Sequence, residues 1–159
     1  MKYLQRFRQP AYNIPLLYAI KFAKWFMLFM PIIVLFFQDN GLEMRHIFIL
    51  KAINAVTIVV LEIPSGYLAD VLGRRKTLVA GAVLNTAAYV AYSFAYGMGG
   101  FVLTELLIGV SVSLLSGADS AMLYDSLKAL GRSKDYARQE GRITALGNFS
   151  EAAAGILGG

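Results

Sequence analysis

Residues 77–104 read TLVAGAVLNTAAYVAYSFAYGMGGFVLT, lie between Lys76 and Glu105, and contain no charged side chain. A bilayer core of about 30 Å takes roughly 20 apolar residues as a helix, so the stretch is too long for a single crossing. Gly97-Met98-Gly99-Gly100 interrupts it, and glycine clusters punctuate helices. The stretch therefore predicts a span over about 77–96, a tight glycine turn at 97–100, and a second span over about 101–124.

Outward from this stretch, the same length criterion predicts further spans over about 14–37, 46–69 and 142–159. Composition agrees with five spans. Hydrophobic residues are 57% of the chain and charged residues 16%, against about 45–50% and about 25% in an ordinary soluble domain. A chain of 159 residues cannot bury that much apolar surface within itself. The expected class is all-α, a polytopic transmembrane helical bundle with the lipid bilayer as its main partner. The N-terminal MKYLQRFRQPAYNIP is basic and then apolar, as a leader would be. No small-residue cleavage site follows, so the first span is read as one that stays in the chain.

The formal charge of +5 is explained by where the basic residues fall. Lys2, Arg6 and Arg8 precede the first span, and Arg74, Arg75 and Lys76 follow the second. Lys128, Arg132, Lys134, Arg138 and Arg142 follow the fourth. On the other side, 38–45 holds only Arg45 and 97–100 holds no basic residue. Cytoplasmic loops carry such an excess of lysine and arginine. This places the N-terminus inside and the C-terminus outside a cell (inner) membrane, and no nucleic acid is needed to account for the charge. The chain lacks cysteine, which excludes a disulfide scaffold, a thiolate metal site and a thiol nucleophile. Its one histidine, His46, is expected at the membrane interface rather than on a metal. No phosphate-cradling Gly-x-x-x-x-Gly-Lys-Ser/Thr occurs. Neither an enzyme, a cofactor nor a metal is expected.

Apart from Arg142 at the start of the fifth span, seven charged residues fall within the expected spans: Lys21, Lys24, Lys51, Glu62, Glu105, Asp119 and Glu151. Each costs about 2.5–3.5 kcal/mol near mid-bilayer and usually faces a helix-lined interior or a watery cavity. At three- and four-residue steps, Tyr18, Lys21, Trp25 and Leu28 share one face, with Lys24 at its edge. Glu105, Gly109, Ser113, Ser116 and Asp119 share another, and Thr144, Asn148, Glu151 and Gly155 a third. At a rise of about 1.5 Å per residue, Lys24 and Glu151 lie at roughly the same depth from the cytoplasmic side. They are expected to form a buried pair. Lys21, Glu62 and Asp119 make a shallower group. These five residues are the candidates for a solute pathway or its coupling. Lys51 and Glu105 lie toward the outer surface and are read as structural, as is the row Asn85, Tyr89, Tyr92 and Tyr96.

Between the second and third spans the chain reads Gly66-Tyr67-Leu68-Ala69-Asp70-Val71-Leu72-Gly73-Arg74-Arg75-Lys76. Asp70, at a helix C-terminus, opposes that helix's dipole and needs a partner such as an arginine or another helix's N-terminus. This segment resembles the loop signature of the major facilitator superfamily: glycine, a few variable residues, aspartate, then glycine and two basic residues. Leu61-Glu62-Ile63-Pro64-Ser65 and the stretch from Ser116 to Leu127 are similar to bacterial members of that family. The resemblance implies two six-helix bundles that rock about a central solute site. It also implies a cytoplasmic latch built from Gly66, Asp70, Gly73, Arg74 and Arg75, with Asp125 as the acidic partner of a loop arginine. Val71 departs from the usual basic residue.

Two further departures bear on direction. Proton antiporters of the family often carry an arginine four residues before a glycine in the fourth span, where this chain has Glu105 before Gly109. Ala154-Gly155-Ile156-Leu157-Gly158-Gly159 looks like their fifth-span motif without its proline, and its small residues would still let helices approach closely. The expected function is part of a secondary active transporter moving a small organic solute by alternating access, with export favoured over uptake and proton-coupled efflux as one form of it. Five spans amount to an incomplete N-terminal six-helix half of that fold, with the second bundle absent. The alternative is a truncated, non-transporting membrane protein that binds or regulates a membrane partner.

Overall fold

The computed structural model describes residues 10–159; the expected basic residues Lys2, Arg6 and Arg8 lie outside them. The described residues form helices and turns, without a strand among them. The helices are α1 (Pro10–Trp25), α2 (Ile33–Asp39), α3 (Met44–Leu72), α4 (Arg74–Tyr92), α5 (Gly97–Ala129) and α6 (Tyr136–Gly158). Short 3-10 turns occur at Met30–Ile32 and Ser133–Asp135. Three segments are long and apolar enough to cross a membrane: Pro10–Asp39, Met44–Leu72 and Gly97–Ala129. The other two expected spans are helices of 19 and 23 residues, α4 and α6, long enough for a bilayer core but less apolar.

The chain divides into two compact units: residues up to Ile33 together with Ser120–Gly159, and Val34–Asp119. In the first unit, α1 packs on α6. Ile143, Gly147, Ser150 and Ala154 form the buried stripe of α6, at the spacing that puts them on one helical face. A Cβ on Gly147 would stand 3.4 Å from the Trp25 ring, so the two helices meet across a glycine. Ser150 Oγ donates to the Phe22 carbonyl at 2.9 Å, and the Tyr18 hydroxyl donates to Gln139 Oε1 at 2.8 Å. Asn13 Nδ2 donates to Ser126 Oγ at 3.0 Å, tying α1 to the C-terminal part of α5.

The expected single helix over 14–37 is broken. Helix α1 stops at Trp25, and a non-helical link and a 3-10 turn precede α2. Pro31 sits in that turn, where it supplies no N–H and disfavours helical backbone before it. The bend brings the Leu28 carbonyl against Gly158, into the space where a Cβ would sit.

In the second unit, α3 starts on a reciprocal cap. The Glu43 side chain accepts from the backbone N–H of His46, and the Glu43 N–H donates to His46 Nδ1 at 3.2 Å. This gives His46 a helix-capping position at the end of the helix, and two otherwise orphan donors are satisfied. Small residues then set how closely α3 and α5 approach. A Cβ on Gly109 would stand 2.8 Å from Thr57 Cβ, and one on Gly117 would stand 3.2 Å from Ser65 Oγ. On α4, Gly81 faces the Leu115 side chain, and Ser111 Oγ of α5 donates to Asn85 Oδ1 at 2.8 Å. Asn85 thereby links α4 to α5.

The glycine cluster at 97–100 is helical rather than a turn. The chain reverses over Ser93–Tyr96, with Phe94 N–H on the Ala91 carbonyl and Ala95 N–H on the Tyr92 carbonyl. Gly97, at φ +62°, is the one glycine of the cluster at positive φ. A Cβ on Gly100 would make ordinary contact with Ala95, 3.5 Å from its Cα.

Candidate functional site

Two polar arrangements stand out, both within the second unit. The first surrounds Glu105, which is 1% exposed on a long apolar helix. Lys51 Nζ of α3 donates to Glu105 Oε1 at 2.7 Å, and the Tyr92 hydroxyl of α4 donates to the same oxygen at 3.2 Å. Asn54 Nδ2 donates to the Glu105 backbone carbonyl at 3.0 Å. A buried carboxylate is expensive unless paired and hydrogen-bonded, and here α3 supplies the cation and α4 the hydroxyl. The Lys51 ammonium also lies 5.6 Å from the centroid of the Phe37 ring. Phe37, Tyr92 and Phe101 pack edge-on to one another with centroids 5.2–5.8 Å apart, within the range favoured by aromatic pairs. Chemically this is a cation between a carboxylate and one aromatic ring, Phe37.

In sequence, Lys51 and Glu105 group together toward the outer surface as structural residues, without their contact being given. Asn54 was missed altogether, and Tyr92 was assigned to packing alone. A signal was available. Lys51 is seven residues into α3 and Glu105 eight into α5, about 10–12 Å from helix ends at about 1.5 Å per residue. Those ends lie on the same expected side.

The second arrangement is the turn between α3 and α4. Gly73 is the sole residue between them, at φ +95° and ψ +135°, a region essentially closed to residues with a Cβ. The turn brings Arg74 onto Asp70, and Arg74 Nη2 contacts Asp70 Oδ1 as an ion pair. Asp70 thereby acquires the cationic partner its helix end requires. Gly66 sits within α3, and its Cβ position is open space. Arg75 and Asp125 are exposed.

The five pathway candidates are distributed over both units. Lys21, Lys24 and Glu151 belong to the first, and Glu62 and Asp119 to the second. Lys21 Nζ stands 5.9 Å over the Trp25 ring, a cation–π contact, and Lys24 is half-buried. Glu62 is exposed and Asp119 half-buried. The expected buried pair of Lys24 with Glu151 is not formed. Glu151 is exposed, one step round α6 from the stripe that packs on α1. Thr144 and Asn148 are exposed with it, so the polar face of α6 is open.

No family model, curated protein or solved structure matches the chain. The architecture and these two arrangements define an all-helical chain with three helices of the length and hydropathy a membrane crossing requires. They add an ion pair between a buried carboxylate and an exposed lysine, and a one-glycine basic turn.

Proposed function

We propose that the chain is the N-terminal bundle of a secondary active transporter of the major facilitator type, in the cell (inner) membrane. It moves a small organic solute by alternating access, with export as the favoured direction. The observation that carries this reading is the α3–Gly73–α4 turn with its Asp70–Arg74 ion pair, set in the sequence signature that resembles that family.

On this reading all five helical segments cross the bilayer, with Gly73 on the cytoplasmic side. Ion pairs at an exposed turn are worth little to stability, about 0–1 kcal/mol. Such a pair can exchange partners as two bundles rock, and Arg74, Arg75 and Asp125 would then share the latch. The open polar stripe of α6 supports the same reading. Facing lipid, Glu151 would cost about 2.5–3.5 kcal/mol near mid-bilayer, so the stripe is assigned to a watery path or a facing bundle. Lys21, Lys24, Glu62, Asp119 and Glu151 line or gate that path.

Solute flux in membrane vesicles from cells producing the protein tests the reading. Asp70→Asn, Lys24→Gln and Glu151→Gln should each lower flux while the protein still reaches the membrane. Undiminished flux in all three removes these residues from the mechanism. The same open stripe also favours a second reading, a non-transporting protein whose α6 face binds a membrane partner. Stoichiometric co-purification of such a partner, without flux, would select it.

A further inference from the structure

Helix α6 presents three different faces. Its buried stripe, Ile143, Gly147, Ser150 and Ala154, packs on α1, and Thr144, Asn148 and Glu151 make the open polar stripe. Roughly opposite the buried stripe, at three- and four-residue steps, run Arg138, Arg142, Ala145, Phe149, Ala152 and Ile156, all exposed. This third face is graded along its length. Both charges stand at the N-terminal end, and only apolar side chains follow, with Phe149 69% and Ile156 82% exposed.

The cations are available. No ion pair holds Lys134, Arg138 or Arg142 among the described residues. The two nearest carboxylates in sequence are engaged elsewhere. Arg132 Nε and Nη2 both stand 2.8 Å from Asp135 Oδ2, and Glu140 accepts from the Ser120 hydroxyl at 3.4 Å. Lys134, in the 3-10 turn that leads into α6, precedes Arg138 by the same step that separates Arg138 from Arg142, and is exposed as well. Like charges at this spacing destabilise a helix, and an anion shared between them offsets that cost.

An anion that also covers the apolar part of the face must carry a hydrocarbon chain. From Arg142 to Ala152 the helix rises about 15 Å at about 1.5 Å per residue. That is half of a bilayer core of about 30 Å, the depth of one leaflet. Guanidinium groups grip phosphate oxygens bidentately, and their stems lie along apolar surface while the charge stays at headgroup level.

We infer that this face of α6 is a docking site for an anionic phospholipid. The lipid phosphate lies between Arg138 and Arg142, Lys134 adds charge, and one acyl chain runs along Ala145, Phe149 and Ala152. The inference rests on α6 crossing the bilayer, as in the proposed function, but needs neither a second bundle nor flux.

The test uses the full chain in nonionic detergent micelles, with phosphatidylglycerol as probe and phosphatidylcholine of the same acyl chains as zwitterionic control. Native mass spectrometry reads the lipid retained, and thermal unfolding reads its effect on Tm. Phosphatidylglycerol should be retained and should raise Tm; phosphatidylcholine and inorganic phosphate at equal concentration should do neither. A cation facing an anionic headgroup contributes roughly a fivefold factor, so replacing both arginines, Arg138→Gln with Arg142→Gln, should weaken retention about tenfold or more. Arg132→Gln removes a cation already held by Asp135 and should change retention by less than about twofold. Where the double variant fails to fold, the two single variants decide, each with an expected loss of about fivefold. Because retention is read without flux, a failed site and a failed transporter are separate results. Equal retention of the two lipids, a Tm rise with phosphate alone, or folded arginine variants that bind like the wild type would overturn the inference. So would a loss in Arg132→Gln as large as in the double variant.

Discussion

Lys51 and Glu105, on α3 and α5, meet at 2.7 Å with one partner half in the open and the other sealed inside. Within the second unit this pair joins two of the three helices long and apolar enough for a membrane. The inequality of the partners makes the consequences of removing each one different.

Removing the cation strands a buried anion, whereas removing the anion leaves a lysine that can solvate itself. Lys51→Met should therefore destabilise the protein more than Glu105→Gln. Breaking a fully buried pair costs about 3–5 kcal/mol, and the half-exposed lysine reduces this to about 2–4 kcal/mol for Lys51→Met. Glu105→Gln, which keeps an acceptor for Tyr92, should cost about 1 kcal/mol. Thermal unfolding in detergent measures both. A larger loss in Glu105→Gln would show that the pair is not unequal in this way.

The turn at Gly73 makes a contrast with Gly66. Gly73→Ala forces a Cβ into a backbone region that costs about 1–3 kcal/mol, and it should lower Tm accordingly. Gly66→Ala places its Cβ in open space inside a helix, where alanine is favoured by about 0.5–1 kcal/mol. It should hold or raise Tm. Equal effects at the two sites would mean that the positive φ at Gly73 is not what the turn depends on.

A similar contrast tests the α3–α5 contact. Gly109→Ala would bring a methyl to 2.8 Å from Thr57 Cβ, and overpacking of this kind costs about 1–3 kcal/mol. Gly155→Ala meets nothing within 4 Å and should be neutral or mildly stabilising. Melting curves of the two variants, read side by side, check the closeness of the helices.

Much of this was legible in the sequence, and the reasons are physical. The run without charge from Thr77 to Thr104 fixed two helices by length alone, and the need of Asp70 for a cation pointed at the neighbouring arginines. Turn placement failed at 97–100 because glycine permits a turn without requiring one, and only Gly97 uses the freedom. The break before Pro31 was hidden by hydropathy, which registers an apolar run and not its backbone path. Pairing failed for a different reason. Helical periodicity tells which residues share a face but not which faces meet, so Lys24 was matched to Glu151 by depth although Glu151 lies off the packed stripe. Lys51 and Glu105 are grouped by depth as structural residues, but periodicity does not give the 2.7 Å contact between them.

The account rests above all on helices that cross a bilayer in alternation, α4 and α6 included. The chain has no cysteine, so single substitutions give single thiols. In intact cells an impermeant maleimide should label Asp39→Cys and Tyr96→Cys, and should reach Arg75→Cys and Arg132→Cys only after permeabilisation. Labelling of Arg132→Cys from outside, or of Tyr96→Cys and Arg75→Cys from the same side, would contradict it.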